Sequence, residues 1–118
     1  MHRHILVVDD DADIRHALCD VLQDEGYRAV CVENGQVALD HLRGSAELPC
    51  LIILDLTMPV MDGVEFRQHQ MADPRMCDVP VVIITAGGLH KARQLSARDV
   101  LLKPIEVETV LERVERYC

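Results

Sequence analysis

At 118 residues the chain has the length of one ordinary domain and is too short for two. A net charge of −8 at neutral pH argues against nucleic acid or an anionic membrane surface as a partner, because phosphate contacts need Lys and Arg. No apolar run reaches the ~18 residues of a membrane span, and MHRHILVV lacks the length and cleavage site of a signal peptide.

Aromatic residues are confined to Tyr27, Phe66 and Tyr117, so the expected core is aliphatic. Cys19, Cys31, Cys50, Cys77 and Cys118 are odd in number, scattered, and never in a C-x-x-C pair. That spacing points to neither a zinc site nor a disulfide framework. A reducing, cytoplasmic compartment is therefore expected, with Cys19 and Cys31 acting as small core hydrophobes.

The first apolar block, HILVV (4–8), has strand length and runs into LVVDDDADIR (6–15), where four aspartates follow it directly. Asp11 and Asp13 suit the cap and first turn of a helix. Ile14, Leu18, Val21 and Leu22 form one helical stripe, and Gly26 ends it. RAVCV (28–32) is the second strand. In NGQVALDHLR (34–43) Ala38, Leu39 and Leu42 share one side, with Gly44 following.

LIIL (51–54) is the third strand. A third helix over about 63–72 has a poor stripe, interrupted by Gln68, His69 and Gln70. VPVVII (79–84), a short fourth helix at about 89–96 and the strand VLL (100–102) come next. Pro104 then stands where a helix can start, before IEVETVLERVERYC (105–118). There Val107, Val110, Leu111 and Val114 face inward, and Glu106, Glu108, Glu112, Arg113, Glu115 and Arg116 read as a solvated face.

Strands and helices in alternation specify a doubly wound α/β domain. Strands apolar throughout are covered on both faces, as in a parallel sheet. Such sheets bind ligands beyond the carboxyl ends of their strands, at the switch point. If the first strand lies between the second and third, and the rest follow outward, the residues there are Asp9, Asp10, Asp55, Thr85 and Lys103.

Two carboxylates 4 Å apart repel by roughly 4 kcal/mol at an effective dielectric of 20. Three of them therefore suit a hard cation, best Mg2+, shared with a phosphate. Asp55 would be the nucleophile forming an acyl phosphate. Lys103 and Mg2+ would neutralise the phosphoryl oxygens, and Thr85 would hydrogen-bond one of them. Repulsion without a cation should raise at least one carboxylate pKa of the cluster.

LVVDD (6–10), NGQVALDHL (34–42), LIILDLTMPVMDG (51–63), VPVVIITA (79–86) and LLKPI (101–105) together resemble the receiver domain of two-component response regulators, chemotaxis receivers included, over essentially the whole chain. The resemblance implies one receiver domain over 1–118, with a flavodoxin-like fold: five parallel strands in the order 2-1-3-4-5 and five helices. It makes Asp55 the phosphoacceptor. Asp10, Asp55 and the Thr57 backbone carbonyl would ligate Mg2+ directly, and Asp9 through water. Thr85 would be the switch hydroxyl, Lys103 the phosphate-binding lysine, and Pro104 the residue of a cis turn.

The implied partners are a histidine kinase or histidine phosphotransfer protein, an unidentified downstream target, and in some receivers a second copy. Such a domain catalyses only its own phosphorylation and dephosphorylation.

Three departures from the family pattern stand out. Val100 replaces the usual aromatic three residues before the lysine. The segment from Thr85 to Lys103 is short by about one helical turn, roughly four residues, with Gly87-Gly88 at its start, so an altered fourth helix and output face are expected. Thr57 and Gly87 occupy the variable positions beyond Asp55 and Thr85. One rival is a receiver-like interaction module that signals without phosphate. Another is a Mg2+-dependent phosphatase, opposed by Thr57 standing where its general acid would be. Met58 and Met61 are expected to pack under their loop, and the six histidines to lie on the surface.

Overall fold

A computed structural model describes residues 4–95 and 97–118. His2, expected on the surface, and Ser96, the last residue of the expected fourth helix, lie outside them. The elements alternate as expected: β1 (His4–Val8), α1 (Ala12–Asp24), β2 (Arg28–Val32), α2 (Gly35–Gly44), β3 (Leu51–Asp55), α3 (Gly63–Met71), β4 (Val81–Thr85), α4 (Leu89–Arg93), β5 (Asp99–Leu102) and α5 (Val107–Tyr117). The sheet is parallel, in the order β2-β1-β3-β4-β5.

The wholly apolar strands are explained by two cores, one on each face of the sheet. Alternate strand residues Ile5, Val7, Leu51, Ile53, Val82 and Ile84 pack with Leu18 and Leu22 of α1 and Val110 and Val114 of α5. The intervening residues Leu6, Val8, Ile52, Leu54, Val81 and Ile83 pack with Ala38, Leu39 and Leu42 of α2, Phe66 of α3 and Ala92 of α4. Met58 and Met61 are buried beneath their loop, as expected. Among the described residues no helix is long and apolar enough to cross a membrane.

Side-chain caps start three helices, each on the loop after a strand. Asp11 accepts from the backbone N–H groups of Asp13 and Ile14, Asn34 from Val37, and Asp62 from Glu65. Gly63 is needed for close approach: a Cβ there would stand 2.5 Å from the Asp55 carbonyl oxygen. α3 thereby lies directly against the end of β3.

The polar break in α3 has a structural use. Gln70 is buried, donates to the carbonyls of Met76 and Val79, and accepts from Arg67 at 2.6 Å. It satisfies backbone groups of the segment before β4 that would otherwise be buried without partners.

Several expectations need correction. Cys19 is disulfide-bonded to Cys31, and Cys50 to Cys118, leaving Cys77 as the free cysteine. Pairing depends on α1 lying beside β2 and the end of α5 lying beside the start of β3, neither of which appears in the cysteine spacing. His4 is buried, because it is the first residue of a central strand. Its Nε2 meets His41 Nε2 at 2.8 Å, and burial lowers the pKa of both. His16, His69 and His90 are exposed as expected. Arg113 is bonded to Asp99 of β5 and is not simply solvated. Val107, assigned to the inward face of the last helix, is exposed at its first position.

Candidate functional site

Four strand ends converge on one cleft of about 740 Å3. Asp9 follows the last residue of β1, Asp55 and Thr85 are the last residues of β3 and β4, and Lys103 follows the last residue of β5. The parallel register, with Val8 beside Leu54, Asp55 beside Ile84 and Thr85 beside Leu102, brings these ends to one level. All five side chains expected at the strand ends are therefore gathered here. The peptide bond between Lys103 and Pro104 is cis, as the resemblance implied.

Asp9 is fully buried. Its Oδ1 accepts from the Asp11 N–H at 2.9 Å. Its Oδ2 makes no hydrogen bond and has the Lys103 ammonium at 3.2 Å. Asp55 is 3 % exposed, with Oδ2 3.5 Å from the same ammonium and Oδ1 3.5 Å from the Thr57 N–H. Burial first, and the Asp9 charge second, push the Asp55 carboxyl up to about 6, against the pull of Lys103 and the Thr57 N–H. Burial would lower the Lys103 pKa, but its contacts to Asp9 and Asp55 outweigh that and raise it.

Asp10 is exposed at the cleft, and one oxygen each of Asp9, Asp10 and Asp55 lie within 4.8 Å of one another. Two of these carboxylates, Asp9 and Asp55, share the Lys103 ammonium, and one buried oxygen, Asp9 Oδ2, lacks a hydrogen bond. An all-oxygen set of that charge fits a hard divalent cation.

Thr85 lines the cleft, but its hydroxyl donates to the Gly87 carbonyl, and the Gly87 N–H returns a bond to Oγ at 3.3 Å. Val100 lies in β5 beside Ile83, half-buried against the core.

The sequence reading passes over two cations. Arg15, on the first turn of α1, donates to the carbonyls of Asp9 at 2.9 Å and Asp10 at 3.1 Å, clamping the loop that carries both acids. Lys91 of α4 lines the cleft opposite the β1 side. The signal for Arg15 is its place four residues after the capping Asp11, one helical turn from the acidic loop. Lys91 leaves no such signal, since its direction depends on how α4 sits.

The model of the response regulator receiver domain family matches residues 5–115. The chain is 34% identical to the phosphate regulon transcriptional regulatory protein PhoB of Escherichia coli, over 98% of its own length and 51% of PhoB, so it spans about half of that relative. It is 32% identical to sporulation initiation phosphotransferase F of Bacillus subtilis, covering 99% of this chain and 94% of that one. Among solved structures it is similar to the receiver domain of a sensor histidine kinase from Pseudomonas aeruginosa, solved with a magnesium ion coordinated in the active site cleft. The identity is 25%, the TM-score 0.87, and the coverage 99% of this chain and 98% of that one.

Proposed function

The chain belongs to the response regulator receiver domain family, and we propose that it is a phosphoacceptor, with Asp55 as the residue that takes the phosphoryl group. The observation that carries this reading is the placing of Asp55: buried at the end of β3, 3.5 Å from Lys103, and grouped with Asp9 and Asp10. Asp9, Asp10, Asp55 and the Thr57 carbonyl are the groups that would hold Mg2+. When bound, the ion supplies positive charge against carboxylate repulsion and the phosphoryl oxygens.

The donor is a phosphohistidine on a histidine kinase or histidine phosphotransfer protein, or a small phosphodonor. An Asp55 carboxylate oxygen bonds to phosphorus as the P–N bond to the donor imidazole breaks, and the imidazole nitrogen leaves and takes up a proton. Lys103 holds the phosphoryl charge as it arrives. Thr85 leaves the Gly87 carbonyl to donate to a phosphoryl oxygen. Because that carbonyl lies in the loop feeding α4, the exchange shifts the population of the α4–β5–α5 face, which passes the signal on. Hydrolysis of the acyl phosphate resets the site, and the chemistry is confined to the protein's own aspartate. In the cytosol assigned by this reading, both cysteine pairs would be held as dithiols.

Acetyl phosphate labelling with and without Mg2+ tests the reading. Mg2+-dependent gain of one phosphoryl group, lost in Asp55→Ala, is expected. Absence of label, or label surviving in Asp55→Ala, overturns it.

Val100 and the five-residue α4 favour one second reading, a receiver that docks its target without phosphate. Beryllofluoride with Mg2+ separates the two: no uptake at Asp55 supports the phosphate-independent module.

A further inference from the structure

Resting on the phosphoacceptor reading, we propose that Lys91 is a second cationic residue of the phosphoryl site, contacting the oxygens of the phosphoryl group from the α4 side of the cleft. Lys91 lines the same cavity as Asp55, Thr85 and Lys103. It is exposed, and among the described residues its ammonium has no salt-bridge partner. The other lysine of the cavity is already committed to Asp9 and Asp55.

The rim between Thr85 and Lys91 is nearly bare. Ala86 carries only a methyl group. At Gly87 and Gly88 a Cβ would meet nothing within 4 Å, so the space that side chains would fill is open. Gly88, at φ 72°, uses the backbone freedom of glycine to turn into α4, which begins one residue later. The shortness of this connection places a lysine of α4 on the cleft itself.

Charge counting gives that lysine a role. Phosphorylation replaces the single charge of Asp55 by one of about −1.5 to −2, while Asp9 and Asp10 remain. A divalent cation and Lys103 then leave the phosphoryl group with Asp9 and Asp10 short by up to about one positive charge, and Asp11 and Asp62, which also line the cavity, add to the shortfall. Among the described residues Lys91 is the remaining cation lining the cavity. In the transfer from acetyl phosphate, the Asp55 oxygen bonds to phosphorus, the P–O bond to the acetyl group breaks, and acetate leaves with the electron pair. Lys91 attracts the donor's phosphoryl group and then holds it on Asp55.

The test compares wild type, Lys91→Gln and Lys91→Arg in two measurements. In the first, Asp55 labelling is titrated with acetyl phosphate. Lys91→Gln raises the half-saturating concentration about three- to fivefold at low salt, the range of an exposed ion pair. Lys91→Arg stays near wild type, and the difference shrinks at about 0.5 M salt. In the second, each lysine's reaction with an amine-acylating reagent is read by peptide mass spectrometry. Lys91 is acylated at least about threefold more slowly once Asp55 is phosphorylated, and not in Asp55→Ala, as expected of an ammonium newly paired with an anion. Unchanged half-saturation in Lys91→Gln, or unchanged acylation of Lys91, overturns this proposal and leaves phosphorylation of Asp55 standing. Wild-type protein that takes no phosphoryl group at all overturns both.

Discussion

Asp55 and Lys103 form a contact of 3.5 Å that does not hold the Asp55 carboxyl down: burial and the neighbouring Asp9 push it up to about 6. The folded chain therefore binds a proton at Asp55 over a range, about pH 4 to 6, in which an unfolded Asp has already lost it. Between those values the folded state carries more protons than the unfolded one. This group's contribution to stability is fully present below about pH 4 and is lost as pH rises through about 6. Site geometry is thus maintained against the interest of the fold. Asp55→Asn, nearly the same shape without the charge, is expected to stabilise the protein in EDTA at pH 7.5 by about 1–2 kcal/mol, several degrees in Tm. The gain should vanish near pH 4. Thermal unfolding at the two pH values decides it, and a variant less stable than wild type at pH 7.5 contradicts the electrostatic account.

Arg15 should matter to cation binding without touching the cation. Its guanidinium spans the Asp9 and Asp10 carbonyls, and losing it frees the loop whose carboxylates must converge. Arg15→Ala is expected to weaken Mg2+ binding about three- to tenfold, the net worth of about one ordinary hydrogen bond, with Arg15→Lys partly restoring it. Calorimetric titration of Mg2+ measures this. An unchanged affinity in Arg15→Ala would show that the loop holds its shape through the Asp9–Asp11 and Asp11 capping bonds alone.

The reach of sequence reasoning follows from which facts depend on chain order alone. A parallel sheet puts all its strands' carboxyl ends at one edge, so strand order alone brings together Asp55 and Thr85, which end their strands, and Asp9 and Lys103, which follow theirs. Side-chain direction on helices is different. Lys91 reaches the cleft through the rotation and tilt of α4, which no spacing encodes, whereas Arg15 reaches the loop carbonyls from a place one helical turn after the capping Asp11. Nor does the presence of Thr85 tell where its hydroxyl points, here to Gly87. Cys19 and Cys31 read as core hydrophobes because pairing is a property of packed elements, and His4 read as exposed because a terminal position hides that it opens a central strand. Gln70 looked like a fault in a helix, when it satisfies carbonyls of a segment six and nine residues away.

Val60 stores strain in the loop that follows Asp55. It has φ 68°, is 80 % exposed, and is closed over by a bond from the Met61 N–H to the Pro59 carbonyl at 2.8 Å, a three-residue turn. A β-branched residue in this region costs of order 1–2 kcal/mol, and Val60 has little burial to offset that. Val60→Asn, which tolerates positive φ, is expected to gain about 1 kcal/mol. Val60→Gly should gain less, because glycine also loosens the unfolded chain. Urea midpoints compare the three proteins. A loss of stability in both variants would mean that Val60 makes contacts outweighing its backbone cost.

The two disulfides should differ in their worth to the fold. Cys19 and Cys31 are 12 positions apart and tie α1 to β2, whereas Cys50 and Cys118 are 68 apart and tie the end of α5 to the start of β3. By loop-closure entropy the shorter link is worth about 3 kcal/mol and the longer about 4. Under oxidising conditions one thiol, Cys77, should react with a thiol reagent in the native state, and all five cysteines after reduction and unfolding. Cys118→Ser should therefore lower Tm more than Cys19→Ser, and reduction should lower it further than either. Equal thiol titres before and after reduction would remove the basis for both. Labelling at Asp55 should survive reduction, because Cys50 lies just before β3 while Asp55 is the last residue of that strand, five residues on. Val110 and Val114 continue to hold α5 on the sheet when its last turn is released, so the carboxyl edge of the sheet keeps its register. Loss of labelling on reduction would instead show that the α5 clasp is transmitted through β5 to Lys103.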